Sequence, residues 1–352
     1  MSLKNFLFGL GFILLLFFFI PIRVNKSNSD DLEKEFTDFM QQYNKSYKNE
    51  TIYQQRFKAF LKSMKAVEKL NSHRKHNRSA YYGLTKFSDM TPDEFLNKHL
   101  QPDLYERISS RGVDDSKEYD KNHHHRIHTR SIKLKNLPLK IDWREQGVIT
   151  EVNNQKLCGA CWAFSTVENM ESMYAIKHGQ LKQLSVQQLI DCARYNNDGC
   201  EGGDSCNLLH WLKDFNVTVY DENKYPMHWK NEQCKTLNNK GVQIDKFACQ
   251  RLVGNEDYIL STLVNVGPVA VAINALTWQY YLGGVIQFHC GSSPKLLNHA
   301  VQIVGYDLSA VIPHYIVRNS WGKDFGEDGY LYIAIGENLC GLANEVSVLT
   351  VL

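Results

Sequence analysis

Apolar residues follow a helical period along residues 31–70 and an alternating or continuous β-type pattern in short runs beyond Gly267, and this change of period divides the chain. Between Asp31 and Tyr47, Leu32, Phe36, Phe39, Met40 and Tyr43 share one helical face. From Tyr53 to Leu70 the pattern continues through Phe57, Phe60, Leu61, Met64 and Val67, with basic residues on the other side. Tyr81 to Asp89 predicts a short extended piece, and Thr91-Pro92-Asp93-Glu94 a helix start with threonine as N-cap and proline in the first turn. Residues 101–136 show no period and are rich in charge, serine and histidine, including His123, His124, His125 and His128. They read as a solvated linker, since no cysteine or carboxylate framework surrounds the histidines to make a metal site. Helical signals return from Cys161 to about Phe215: an apolar stretch through Trp162, Phe164, Val167, Met170, Met173 and Tyr174 stops at Gly179, and Ser185 with Gln188 starts a second helix as a capping box. Pro268–Ile273, Ala300–Gly305, Tyr315–Arg318, Tyr330–Ile335 and Glu345–Leu352 predict strands. The expectation is an α+β body with a helical lobe, a β lobe and a cleft between them.

The first residues carry a different message. Lys4 precedes an unbroken apolar or glycine run from Phe6 to Ile20, too short for a bilayer span and suited to the core of a signal peptide over residues 1–24. Entry to the secretory route lets cysteines pair and opens the sequons at Asn44, Asn49, Asn77 and Asn216 to glycosylation. The expected location is therefore lysosomal or extracellular, without stable membrane association after cleavage. Net charge is only +2, which gives no hint of a nucleic-acid partner, yet residues 1–136 hold 24 basic against 16 acidic side chains and the remainder 16 against 22. A basic leader should be attracted to an acidic body.

All nine cysteines lie beyond residue 136, at 158, 161, 192, 200, 206, 234, 249, 290 and 340, so at least one remains unpaired. The stretch Q-K-L-C-G-A-C-W-A-F-S admits three chemistries. Zinc would need a second close ligand pair, which is missing, and a thioredoxin-like redox pair would need a compact βαβ unit. In the third, Cys161 is a nucleophile at a helix N-terminus, where free amides favour thiolate, and Cys158 staples the loop presenting it. That chemistry demands a base, an orienting group and an oxyanion donor. His299 opens the strand-like N-H-A-V-Q-I-V-G-Y. Asn319 stands just past a strand in R-N-S-W-G, its amide suited to orient an imidazole, with Trp321 to exclude water. Gln155, six positions before Cys161, offers a side-chain amide to a developing oxyanion.

These three blocks resemble the active-site blocks of papain-like cysteine peptidases, and the chain is similar to them over essentially its whole length. The resemblance implies a two-lobe papain-like fold, helical lobe plus antiparallel β-barrel-like lobe, preceded by a mainly helical inhibitory propeptide. It divides the chain into a leader (1–24), a propeptide (25–100), a linker (101–136) and a peptidase domain (137–352). Arg56, Phe60, Val67 and Asn71 match the first propeptide motif, with Ile52 and Ser63 as departures, and Gly83, Thr85, Phe87 and Asp89 match the second. Catalytic roles fall on Cys161, His299, Asn319 and Gln155, and disulfides on Cys158 with Cys200, Cys192 with Cys234, and Cys290 with Cys340. Cys206 and Cys249 are additional, and pairing them leaves Cys161 as the spare thiol. Substrate binding is implied for Gly202, Gly203, Asp204, Ala272, Ala300 and Trp321, with Cys206 near the pocket for the second residue before the cut. Lys156 stands where the family often has glycine and sets a cation on the cleft rim. The implied function is a cysteine endopeptidase made as a monomeric zymogen, needing no cofactor and acting on proteins or peptides with its own propeptide as intramolecular inhibitor. The competing reading is a catalytically silent binding protein on the same fold.

Overall fold

The computed structural model describes residues 29–111, 137–237 and 240–352. The signal peptide expected over 1–24 and the histidine-rich part of the linker lie outside the described residues. Two helices, α1 (Ser29–Gln42) and α2 (Glu50–Asn71), cross through an aromatic cluster of Phe36, Phe39, Phe60 and Met64, ringed by Tyr47, Tyr53 and Phe57. α2 starts at Asn49, whose side chain accepts from the Ile52 amide. Its Arg56 pairs with both oxygens of Glu94 at 2.8 and 3.0 Å, and Glu94 completes a capping box with Thr91 at the start of α3 (Pro92–His99). One side chain thus locks two helices together.

This helical unit is sewn to the body. β1 (Tyr81–Tyr82) pairs with β7 (Tyr281–Gly283), the Asn71 amide brackets Tyr82 from behind, and Gln279 donates to the carbonyls of Phe87 and Met90. The extended piece expected over Tyr81–Asp89 is a strand only at its first two residues. Its remainder turns because the Thr85 and Ser88 hydroxyls satisfy local amides. The linker reading needs a larger correction: residues 101–111 are not a solvated connector. Gln101 and Leu104 are buried, and Leu104–Ser109 forms a short helix, α4, because Leu104 and Ile108 find a hydrophobic recess in the body.

In the body, α5 (Cys161–His178) is buried along most of its length, with α6 (Val186–Cys192) and α7 (Ser205–Asp214) packed around it. The other lobe is built on a sheet in the order β5-β12-β6-β9-β10-β11-β8, antiparallel except between β11 and β8, with β2 (Lys140–Asp142) added on β9. Its strands are β5 (Ile244–Gln250), β6 (Val269–Ile273), β8 (Val285–Ile286), β9 (His299–Asp307), β10 (His314–Arg318), β11 (Tyr330–Ala334) and β12 (Val346–Val351). β2 and β5 precede Gly267, where the sequence pattern showed no strand. Polar Asp245 and Lys246 interrupt the apolar run of β5, and only its pairing with β12 makes it a strand.

The lobes meet through a polar seam. Gln302 on β9 donates to Asn169 and Ser172 on α5 at 2.9 and 3.0 Å, and the fully buried Arg318 on β10 donates to Thr150 and lies 3.5 Å from Glu168. Burial pushes the Glu171 carboxyl, which accepts from Thr150, up to about 7 despite that guanidinium. Such directional bonds set the register between Cys161 and His299, which apolar contact alone would leave loose.

Candidate active site

Four disulfides join Cys158 to Cys200, Cys192 to Cys234, Cys206 to Cys249 and Cys290 to Cys340. Cys161 is the free cysteine and is fully buried. The first bridge holds the turn before α5, where the Gly159 amide donates to the Cys200 carbonyl at 2.8 Å. The amide of Ala300, the neighbour of His299, the Gln101 side chain and the amides of Trp162 and Cys161 at the helix start all act to lower the Cys161 thiol. These donors favour thiolate, as helix position suggests, but burial outweighs them and pushes the thiol up to about 11.

His299 opens β9 beside that sulfur's Ala300 donor. Its Nε2 donates to Asn319 Oδ1 at 2.8 Å, the Trp321 indole stacks on its ring at 4.9 Å, and the Trp278 ring meets it edge-on at 6.0 Å. The opposite nitrogen, Nδ1, is buried with no hydrogen-bond partner among the described residues. Burial holds the imidazole down at about 4, with Asn319 opposing the shift and His99 adding to it. Gln155 is equally buried: its Oε1 accepts from Ser320 at 2.6 Å, which aims Nε2 at the Cys158 carbonyl and, at 3.5 Å, at the His99 carbonyl of the N-terminal unit. Cys161, His299, Asn319 and Gln155 are therefore brought to one place, with Trp321 as their cover.

The residues expected to meet substrate form the adjoining wall. A Cβ on Gly203 would come within 2.6 Å of the Trp162 ring and the Asn197 amide oxygen, and Gly202 has a positive φ of 119°. Ala272 and Ala300 pair across β6 and β9, and Leu104 packs on Ala272 and Leu297. Asp204 caps α7 through the Asn207 amide. Lys156 lies over the Trp229 ring at 3.2 Å, so its charge is shared with an aromatic face on the rim. The Cys206, Cys249 and Glu345 donor atoms lie within 4.8 Å of one another, but both sulfurs are tied in a disulfide and offer no thiolate to a metal.

Sequence reasoning missed what fills this cleft. Gln101 donates to Cys161 Sγ at 2.9 Å and to the Gly159 carbonyl, accepts from the Gly203 amide at 3.0 Å, and sends its own amide to the Asn298 carbonyl at 2.7 Å. It occupies both walls at once. His99, Arg111 and Glu345 were also unmarked, since each gains its position from another segment; the one local signal was that His99 ends the capped helix α3, two residues before Gln101.

The papain family cysteine protease profile matches residues 137–350, and the cathepsin propeptide inhibitor domain profile matches residues 36–95. Human cathepsin O is 40% identical over 291 residues, 80% of this chain and 85% of the relative, and mouse cathepsin O is 37% identical over 85% of this chain and 91% of the relative. Among solved structures, a recombinant stem bromelain precursor superposes with a TM-score of 0.74 at 32% identity, covering 91% of this chain and 99% of that one. The proform of the ragweed pollen cysteine protease Amb a 11 gives 0.76 at 28%, covering 92% and 95%. The chain belongs to the papain family of cysteine proteases, a cysteine peptidase carrying its inhibitory propeptide on the peptidase domain.

Proposed function

We propose that this chain is the zymogen of a cysteine endopeptidase of the secretory pathway, lysosomal or extracellular, in which Cys161 is the nucleophile, His299 the acid and base, Asn319 the positioning residue and Gln155 the oxyanion donor. The observation that carries this reading is the free sulfur beneath the Gln101 amide, with His299 held from behind by Asn319 and its other nitrogen uncommitted. Once the propeptide leaves, the thiol proton passes to His299 Nδ1 and the sulfur attacks the scissile carbonyl. Gln155 Nε2 and the Cys161 amide stabilise the oxyanion. Imidazolium then protonates the leaving amine, giving a thioester, and the neutral ring takes a proton from the water that hydrolyses it. Asn319 keeps Nε2 protonated, so Nδ1 faces the sulfur.

In the closed chain burial pushes the Cys161 thiol up and holds the His299 imidazole down, so both shifts oppose the charged pair while the propeptide covers the site. A leader through residue 24, an inhibitory propeptide and a monomeric body from 137 to 352 fit this reading. Four disulfides support an oxidising compartment, and no helix among the described residues is long and apolar enough to cross a membrane. The test is titration of the processed chain with a thiol-alkylating epoxide beside a peptide-cleavage assay. Stoichiometric labelling at Cys161 with loss of cleavage is expected; unlabelled Cys161 and uncut peptides would leave a silent binding protein instead.

A further inference from the structure

Resting on the peptidase reading above, we infer that Trp229 is a positioning residue for the oxyanion donor: it clamps the turn that carries Gln155. Its indole Nε1 donates to the Asn154 carbonyl at 2.8 Å, 75 positions away along the chain, and the centre of its ring lies 3.2 Å from the Lys156 ammonium. The two neighbours of Gln155 are thus held by one side chain. Asn154 closes the same turn, its Oδ1 accepting from the Lys156 amide at 2.9 Å. The turn needs such a hold, because Lys156 stands at φ 53°, in the left-handed region where glycine rests without strain and other residues do not. Backbone of this kind relaxes unless its surroundings overdetermine it, and a relaxing turn would carry Gln155 Nε2 away from the sulfur.

The clamp is itself anchored. Trp229 also has a positive φ, 58°, and the fully buried Gln187 on α6 brackets it: Gln187 Oε1 accepts from the His228 amide and Nε2 donates to the Lys230 carbonyl, both at 2.8 Å. Asp191 on the same helix accepts from the Glu232 amide at 2.8 Å, and the Cys192–Cys234 bridge closes the segment just beyond. On the opposite side of the turn, the Gln155 amide donates to the Ser320 carbonyl at 2.8 Å and Gln155 Oε1 accepts from the Ser320 hydroxyl at 2.6 Å. The oxyanion turn is therefore suspended between Ser320, the neighbour of Asn319, and α6 acting through Trp229. Ser320 sets the rotation of the Gln155 amide, and Trp229 sets where the turn places it. An oxyanion donor acts on charge that appears only in the transition state, so its misplacement shows in kcat rather than in KM.

The decisive experiment measures peptide hydrolysis and Cys161 alkylation by iodoacetamide on enzyme matured from the full-length chain, native and with Trp229→Ala, Gln155→Ala or both. Iodoacetamide reports the Cys161 sulfur alone, since the other cysteines are bridged and displacement of iodide builds no charge on a carbonyl oxygen. Trp229→Ala should lower kcat about tenfold, less than outright loss of the donor, with KM and the alkylation rate within about twofold of native. In the Gln155→Ala background Trp229→Ala should cost no more than about twofold, because the clamp has nothing left to position. Trp229→Phe keeps a ring under Lys156 and loses the hydrogen bond; it should show the same pattern at about threefold and serves should the alanine variant misfold. An unchanged kcat in Trp229→Ala, equal falls in hydrolysis and alkylation, or the full tenfold cost on top of Gln155→Ala overturns the inference and leaves the peptidase reading standing. Native enzyme that neither cuts peptide nor is alkylated at Cys161 overturns both.

Discussion

Cys161 shows how far one atom's chemistry depends on its cover. Burial raises the Cys161 thiol, and the amides of Ala300 and of the start of α5, with the Gln101 side chain, offset only part of that rise. Replacing Cys161 by alanine should cut peptide hydrolysis by at least about a thousandfold and leave the propeptide uncut when the chain matures alone. A fluorogenic assay and a gel read the two effects, and residual turnover near the native rate would mean another nucleophile. Gln155→Ala should lower kcat by about a hundredfold with a smaller change in KM, because the amide acts on charge that appears only in the transition state. A loss confined to KM would make Gln155 a ground-state contact.

At the scale of elements, the propeptide helices are held by one aromatic knot. Phe36 has no exposed surface and meets Phe39, Tyr47, Tyr53, Phe57 and Phe60 within 6.0 Å. Phe36→Ala should cost about 3–5 kcal/mol of propeptide stability, which appears as an earlier unfolding step in the full chain and faster processing. An unchanged melting curve would show that α1 is dispensable. These helices were legible in the sequence because their apolar spacing is long and regular, as was the helix start at Thr91 with Pro92 in its first turn. β5 was not, because its strand character comes from β12, and α4 was not, because Leu104 and Ile108 are too few to make a pattern until the recess of Ala272 and Leu297 receives them.

Across the whole molecule, the basic leader meets the acidic body in named pairs. Lys86 holds Asp324, Arg107 holds Asp198, and Arg111 holds Asp204 and Glu345, each cation lying N-terminal to the peptidase domain. Acid should loosen this arrangement through two buried imidazoles, His299 and the propeptide's His99, both held near 4 against an ordinary 6.5. Burial is the main cause at His99, with Lys86, Lys98 and Lys45 adding to it. The closed chain therefore keeps its full advantage above about 6.5 and loses it as pH falls towards 4, since an opened chain binds protons that the closed one refuses. Processing should accelerate over that window, and His99→Phe, which fits among Phe87 and Phe95 without a proton to accept, should move the onset to lower pH. Equal processing rates at pH 4.5 and pH 7 would refute the pH dependence, and an unmoved onset in the variant would remove His99 from it.

What the sequence by itself determined was local: helical periods, caps, the odd thiol beside C-G-A-C, and the order of glutamine, cysteine, histidine and asparagine along the chain. Each of those signals is written within a few residues, where side-chain spacing and turn chemistry act directly. Only the tertiary structure decided which groups share water or lose it. Gln101 on the Cys161 sulfur, the upward shift of Cys161 and downward shift of His299 on burial, and the seat of Arg111 between Asp204 and Glu345 all join segments separated by more than fifty residues. Desolvation and charge pairing depend on what is near in space, and no period along the chain encodes that.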